Sequence, residues 1–214
     1  MSSIAVDFPV LVPALLTAGL CVYGADYGLY GTRSVRSSAT SFAAVVAQVR
    51  AFTGAATVDV VGFSQGGLVL RTALRYDGLA AVVQTAALIS PSFHGTTSAL
   101  VSSFPGGVCG ACTDQAAGSA LLTGLAAGGD LDGAVRYAVA VTSTDVIVTP
   151  WQRQIPDGPA DRVRSVVLDQ RCPKTQIRHQ DMARDRRVVG WVVAALNRRG
   201  DVQANDLVCT PGTG

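Results

Sequence analysis

The sequence contains no glutamate, and its fifteen acidic residues are all aspartate. It has only two histidines, His94 and His179, and a single lysine. A mechanism that needs a glutamate base, or a metal site built from several histidines, is therefore excluded. Charged residues are also scarce, at 15% of the chain against 49% apolar residues, which excludes an intrinsically disordered protein.

Long uninterrupted apolar runs are absent near the start of the chain. An uncharged stretch at residues 8–25 is interrupted by two prolines and two glycines. Because a membrane-spanning helix needs about 18 or more consecutive apolar residues, we predict no transmembrane segment. Residues 1–7 carry an aspartate and no lysine or arginine, so they do not resemble the positively charged start of a signal peptide.

The chain has five cysteines, an odd number. Two of them, Cys109 and Cys112, form a C-x-x-C motif in a glycine-rich segment. A redox C-x-x-C opens a helix after a strand, and a zinc site needs a second ligand pair; the sequence predicts neither context here. We therefore favour a structural disulfide over free thiols, and either of these over metal or redox chemistry, and we predict no metal and no cofactor. The pairing stays open among Cys21, Cys109, Cys112, Cys172 and Cys209.

A length of 214 residues suits a single domain with its own apolar core. Strands and helices are predicted to alternate along the chain, which implies an α/β fold: a mostly parallel sheet covered by helices on both faces. Apolar, β-branched runs predict strands at residues 20–24, 58–63, 82–90, 137–143 and 163–168. Helical patterns predict helices at residues 34–52, 65–75 and 188–197, and one that ends within residues 14–19. Residues 94–132 are rich in Gly, Ser and Ala without a clear period, so we expect a cap or lid region there, within one domain of residues 1–214.

The pentapeptide from Gly62 to Gly66 matches the G-x-S-x-G pattern around Ser64. The pattern alone is weak, but it lies where a buried strand turns into a helix, which is the context of a nucleophile elbow. We predict that Ser64 is a nucleophile and that Gly62 and Gly66 leave room for the neighbouring backbone. The N–H of Gln65, at the start of the helix, is predicted to stabilise an oxyanion.

A serine needs a base to become a good nucleophile. In this type of fold the chain order is Ser, then the acid, then His, and His179 is the only histidine late enough in the chain. His94 precedes every suitable acid, so we expect it to be structural or to position the cap.

The acid that orients the histidine must be an aspartate, because the chain has no glutamate. Asp145 follows the predicted strand at residues 137–143, where a carboxylate can reach the histidine. Asp169, after the next strand, is the alternative. Asp157 and Asp161 lie in a Pro/Gly-containing loop and are predicted to be solvated.

With these residues the chain resembles the bacterial secreted triacylglycerol lipases grouped as class 2 lipases, within the α/β-hydrolases. The resemblance extends over nearly the whole chain. The segments that carry it are Cys21-Val-Tyr-Gly-Ala-Asp-Tyr-Gly28, Val58-Asp-Val-Val-Gly-Phe-Ser-Gln-Gly-Gly67, Ser90-Pro-Ser-Phe-His-Gly-Thr-Thr97, Thr144-Asp-Val-Ile-Val-Thr-Pro150, and the stretch from Asp169-Gln-Arg-Cys-Pro173 to His179.

The resemblance implies an α/β-hydrolase fold, with a triad that maps onto Ser64, Asp145 and His179. It implies hydrolysis of carboxylic esters of lipids through an acyl-enzyme, without a cofactor, by an extracellular protein. Family members begin, after a signal peptide, with an apolar strand beside the nucleophile strand. That strand ends in a His-Gly motif, and a backbone N–H beside the motif is the second oxyanion donor. No His-Gly precedes Cys21, so we expect this chain to lack that strand, the export signal and a segment that could hold a partner for Cys21.

Two hypotheses follow for the function. The first is a serine hydrolase, a lipase or esterase, that acts on lipid or other esters; polyester and thioester hydrolases share the triad, and fold does not choose among them. The alternative is a catalytically impaired, lipase-like remnant that binds lipid or a partner without turnover. Nucleic acid is not predicted as a partner, because the eleven basic residues after Trp151 are interspersed with seven aspartates. The oligomeric state stays open.

Overall fold

The structure is a computed structural model that describes residues 8–102 and 108–210. Two sequence-based predictions fall outside these ranges: the comparison of residues 1–7 with a signal peptide, and the part of the cap region at residues 103–107.

Within the described residues, four parallel strands form one sheet in the order β1-β2-β3-β4. They are β1 (Val58–Phe63), β2 (Val83–Ile89), β3 (Arg136–Val141) and β4 (Val163–Val167). The four longer predicted strands are thereby confirmed to within two residues at each end. Their apolar, β-branched composition predicts them well because a parallel sheet is buried on both faces.

Helices lie before β1, in the connections from β1 to β2 and from β2 to β3, and after β4; the connection from β3 to β4, all of it described, has a 3-10 turn in place of the helix that strict alternation predicts. In chain order they are α1 (Leu11–Thr17), α2 (Gly28–Gly31), α3 (Val35–Thr53), α4 (Gln65–Tyr76), α5 (Ala99–Ser102), α6 (Gly110–Gln115), α7 (Ala120–Ala126), α8 (Leu168–Arg171) and α9 (Arg186–Asn197). Short 3-10 turns lie at Leu79–Ala81, Trp151–Gln154, His179–Arg184 and Ala204–Asp206. Among the described residues, none of the helices combines the length and the apolar character needed to cross a bilayer.

Each face of the sheet packs against its own helical layer. Ala86 and Leu88 of β2 point to a core cluster shared with α3 and α4. Ala87 and Ile89, the intervening residues, point to a second cluster shared with α1 and α9. Because side chains alternate across a strand, the two clusters lie on opposite faces, and the predicted two-sided cover of the sheet is confirmed.

The strand predicted at residues 20–24 is wrong. These residues have no regular secondary structure, Cys21 is exposed, and the Tyr23 side chain is 48% exposed. A strand exists only where its backbone groups pair with a neighbour, and no described segment pairs with this one. The outer edge of β1 likewise has no strand partner among the described residues.

The cysteines form two disulfides within the described residues. The Cys109–Cys112 bond confirms the structural disulfide predicted for the C-x-x-C motif. A second bond joins Cys172 to Cys209, which ties the chain after α8 to the C-terminal segment. Cys21 forms no disulfide in the described part of the chain.

The segment predicted as a cap contains α5, α6 and α7. Ala111, Leu122 and Leu125 of this segment are buried in the same core cluster as α3 and α4. Its assignment as a cap or lid stays a prediction.

Candidate active site

The turn from β1 into α4 presents Ser64 in a strained backbone conformation, with φ at 53° and ψ at −122°. Glycines make the turn sterically possible. A Cβ at Gly62 would lie 3.1 Å from the backbone of Gly66 and Gly67, and one at Gly67 would lie 2.3 Å from Cβ of Pro91. At Gly66 the nearest atom to such a Cβ is the Tyr27 hydroxyl oxygen, at 3.4 Å, which is an ordinary contact. Strain of this kind at a non-glycine residue is a feature of functional sites.

Three side chains that are distant in sequence meet at this turn. Nε2 of His179 lies 2.8 Å from Oγ of Ser64, and Nδ1 of His179 lies 2.7 Å from Oδ2 of Asp145. His179 begins a 3-10 turn, Asp145 follows β3, and both side chains are buried. The ring of Phe63 packs against the imidazole, with the ring centroids 5.3 Å apart. The structure therefore places all three predicted residues in one hydrogen-bonded chain, and their catalytic roles stay a prediction.

The carboxylate of Asp145 accepts four hydrogen bonds. Oδ1 accepts from the backbone N–H groups of Ile147 and Val148, at 2.8 and 3.0 Å. Oδ2 accepts from His179 and from Nε2 of Gln154, the latter at 3.0 Å. Burial alone would raise the pKa of Asp145, but the hydrogen bond and charge of His179 and the two backbone donors outweigh it and hold this pKa below its ordinary value.

Asp169, the alternative acid, lies in a different set of contacts. Its carboxylate accepts from the backbone N–H of Ser143 at 2.8 Å and from the Thr142 hydroxyl at 2.9 Å, and it also accepts a hydrogen bond from the Ser143 hydroxyl. These contacts hold the loop that leads from β3 to Asp145. No described hydrogen bond joins Asp169 to His179.

The N–H of Gln65 belongs to the first residue of α4, so it has no acceptor within the helix. The buried side chain is held on both sides: Nε2 donates to the Gly31 carbonyl at 3.0 Å, and Oε1 accepts from Nε2 of Gln115 at 3.3 Å. Gln115 in turn accepts from the Ser92 hydroxyl at 2.9 Å. This network restrains the residue whose N–H is predicted to face the oxyanion.

A sequence model of the class 2 lipases matches residues 17–154, which is more than half of the chain. The chain belongs to the class 2 lipase family. The matched range contains Ser64 and Asp145 and ends before His179. A comparison with curated protein sequences finds no significant match.

Solved structures show the fold of this class 2 lipase chain. Lipase B of Aspergillus fumigatus superposes with a TM-score of 0.79 at 18% sequence identity, over 98% of this chain and 54% of the fungal lipase. The chain thus spans about half the length of that relative. A protein of Agrobacterium vitis S4 superposes with a TM-score of 0.55 at 15% identity, over 94% of this chain and 83% of the other. The predicted α/β-hydrolase fold is confirmed.

His94 lies outside the hydrogen-bonded chain at Ser64 of this class 2 lipase. Its Nε2 is 2.7 Å from Oδ2 of Asp130 and its Nδ1 is 2.9 Å from the carbonyl oxygen of Arg153. Asp130 also pairs with the buried guanidinium of Arg71 at 2.6 Å. These contacts agree with the structural role expected for His94. Asp157 is exposed, as predicted, and so is Asp161.

A groove of about 1200 Å³ runs along the outer edge of β1 and reaches Ser64. Its walls are mostly apolar and include Leu15, Phe42, Val46, Val61 and Phe63. The second oxyanion donor implied by the resemblance is not assigned to any described residue. The described residues also hold no group of three or more histidine, cysteine or acidic side chains placed to bind a metal ion.

Sequence reasoning missed two contacts around the lipase site, that of Gln154 with Asp145 and that of Asp169 with Ser143. Gln154 comes nine positions after Asp145 and belongs to no motif, and the contact of Asp169 with Ser143 joins two separate loops. No sequence pattern indicates either contact, because each depends on how two parts of the chain are placed next to each other in the fold. A motif search finds the residues that carry a reaction, whereas the residues that hold them in place appear only in three dimensions.

Proposed function

We propose that this class 2 lipase chain hydrolyses the carboxylic ester bonds of lipids through an acyl-enzyme on Ser64. The observation that supports this most directly is the continuous hydrogen-bonded chain from Ser64 through His179 to Asp145, with distances of 2.8 and 2.7 Å. Such a chain supplies a nucleophile, a general base and an orienting carboxylate in one place.

The first half-reaction uses the contacts of His179. As Oγ of Ser64 attacks the ester carbonyl carbon, its proton moves to Nε2 of His179, and Asp145 stabilises the imidazolium that forms. The carbonyl oxygen becomes an oxyanion near the N–H of Gln65, at the positive end of α4. The intermediate collapses when His179 returns the proton to the departing alcohol.

The second half-reaction repeats these steps with water. His179 accepts a proton from the water that attacks the acyl-enzyme carbonyl, and it then protonates Oγ of Ser64 as the carboxylic acid leaves. The enzyme is restored without any oxidant, reductant or cofactor, because hydrolysis transfers only an acyl group and protons.

The test compares the hydrolysis of short-chain and long-chain p-nitrophenyl esters by the unchanged chain and by Ser64→Ala. We expect Ser64→Ala to lower kcat at least about 10³-fold, because a triad without its nucleophile loses most of its rate enhancement. Ser41→Ala is the matched control, since Ser41 is an exposed residue of α3 whose hydroxyl donates to the carbonyl of Ser37 in the same helix. Equal rates for the unchanged chain and Ser64→Ala would contradict the proposal and favour a lipase-like protein that binds without turnover.

The cellular location is proposed on separate grounds. Disulfides persist in oxidising environments, and the described residues contain two of them. Together with membership of the lipase family, they support an extracellular protein. Fractionation of a native culture, with an antibody raised against the chain, tests this: most of the protein is expected in the medium.

A further inference from the structure

Gln154 touches the carboxylate that orients the candidate base. It ends the 3-10 turn Trp151–Gln154, and its side chain is completely buried. Its amide nitrogen donates to Oδ2 of Asp145 at 3.0 Å and to the carbonyl oxygen of Val148 at 3.1 Å. Oδ2 is also the oxygen that faces Nδ1 of His179. One carboxylate oxygen is therefore shared between the imidazole and the Gln154 amide.

Packing alone does not explain an amide at this position. Oε1 of Gln154 is buried and has no hydrogen-bond partner among the described residues. A buried acceptor without a partner destabilises the folded state, and methionine fills a similar volume without this loss. The stabilising hydrogen bonds of Gln154 are therefore those of its NH₂ group, and both of them go to the loop that carries Asp145.

Donation to Oδ2 affects His179 in two ways. It restrains the direction of the carboxylate, because Oδ1 is already held by two backbone N–H groups. The hydrogen bond also partly offsets the negative charge on Oδ2. Because that charge stabilises the imidazolium, the hydrogen bond opposes the protonation of His179. A general base works only in its unprotonated form. Because the hydrogen bond from Gln154 opposes the protonation of His179, it extends to lower pH the range in which His179 can act as a base.

We propose that Gln154 is a positioning residue for the Asp145–His179 pair: it aims Oδ2 at the imidazole and limits the basicity of His179. This inference deepens the proposed function and rests on it. Gln154 acts through Asp145 and is not a catalytic residue itself.

Other charged groups lie on the segments that adjoin His179. Arg178 and Asp181 flank it on its own segment and pair with each other at 2.7 Å. Asp169 holds the neighbouring loop through Ser143. From the turn at Ser64, the uncharged ring of Phe63 packs against the imidazole of His179. In the 3-10 turn that contains Gln154, the guanidinium of Arg153 donates to the carbonyl of His94. Asp145 is the ionised side chain in direct contact with the imidazole, so a change at Gln154 acts on His179 chiefly through Asp145.

The test compares the NMR signals of the two histidine rings, and the kcat/KM pH profile, before and after Gln154→Met in the full chain. We expect the signal of the Nδ1–H proton of His179 to move downfield, because Oδ2 becomes a stronger acceptor when it loses a donor. His94 is an internal control, since its partners are Asp130 and Arg153, and its ring signals are expected not to change. The acid limb of the kcat/KM profile for p-nitrophenyl esters is expected to move upward by about 0.5 to 1 pH unit, which lowers kcat/KM about threefold to tenfold on that limb.

Two further variants serve as controls for this test. Gln152→Met changes an exposed glutamine in the same 3-10 turn and is expected to leave both the NMR signals and the pH profile unchanged. Gln154→Leu removes the same donor with a smaller side chain, in case methionine disturbs the fold. An unchanged Nδ1–H signal of His179 in a folded Gln154 variant, or a loss of activity that is equal at every pH, overturns the inference. Because the NMR measurement needs no turnover, it separates failure of this inference from failure of the proposed hydrolysis.

Discussion

Asp145 and Asp169 show how two aspartates at the ends of neighbouring strands take different roles. Asp145 follows β3 and accepts from His179, whereas Asp169 follows β4 and accepts from Ser143 and Thr142. The pKa of Asp169 is also held below its ordinary value: burial would raise it, but the hydrogen bonds of Ser143 and Thr142 outweigh burial. Both carboxylates are thus ionised near neutral pH, and only their partners distinguish them.

Asp145→Asn is expected to lower kcat about 10⁴-fold. The oxygen of the new amide must face the N–H groups of Ile147 and Val148, so its NH₂ group turns towards His179. Nδ1 then becomes the acceptor and Nε2 carries the proton, which leaves no base for the Ser64 hydroxyl. Steady-state hydrolysis of a p-nitrophenyl ester measures the loss.

Asp169→Asn is the matched comparison for that substitution. It weakens the loop before Asp145 without altering the tautomer of His179, so we expect kcat to fall by less than about tenfold. A larger loss for Asp169→Asn than for Asp145→Asn would contradict the assignment of Asp145 as the orienting acid.

At the scale of secondary structure, β1 is an edge strand of the described sheet, and its outer edge faces the groove. Backbone groups alternate in direction along a strand. The N–H of Val58 donates to Val82 and the N–H of Ser64 donates to Ile89, so the even-numbered residues of β1 point towards β2. The odd-numbered residues Val61 and Phe63 then point their backbone groups to the outer edge.

Amide hydrogen exchange is expected to alternate along β1. The N–H groups of Val61 and Phe63 should exchange faster than those of Val60 and Gly62, because unpaired edge amides open without breaking the ladder. Exchange followed by two-dimensional NMR measures this residue by residue, and α4 supplies internally bonded amides as a reference. Equal protection of odd and even positions would show that the outer edge is paired in solution.

At the scale of the whole molecule, the two disulfides found in the described part of the chain close loops of very different length. Cys109 and Cys112 are 3 residues apart, whereas Cys172 and Cys209 are 37 residues apart and join segments on either side of α9. A cross-link that closes a longer loop removes more entropy from the unfolded chain. The Cys172–Cys209 bond therefore holds the C-terminal part of the fold more strongly.

Replacing Cys172 and Cys209 by alanine is expected to lower the free energy of unfolding by about 4 kcal/mol, against about 2 kcal/mol for Cys109 and Cys112. Urea unfolding followed by circular dichroism measures both double variants beside the unchanged chain. A larger loss for the shorter loop would mean that loop entropy does not decide the effect.

Local pattern was sufficient for much of the architecture. The strands of the sheet are predicted from apolar, β-branched runs, because a strand that is buried on both faces needs apolar residues at nearly every position. The segment at residues 20–24 has the same apolar pattern and is not a strand, because pairing depends on a neighbour elsewhere in the chain. Composition describes what a strand needs, and tertiary structure decides whether a partner is present.

By itself, the sequence determined the α/β alternation, the turn that presents Ser64 and the short set of possible partners, since the chain has two histidines and no glutamate. These features depend on residues that are close together in the chain or on simple counts. Only the tertiary structure decided that Asp145 rather than Asp169 contacts His179, that Cys172 pairs with Cys209, and that Gln154 donates to Asp145. Each of these contacts joins segments whose separation is set by how the strands and helices pack, and a linear pattern does not record that distance.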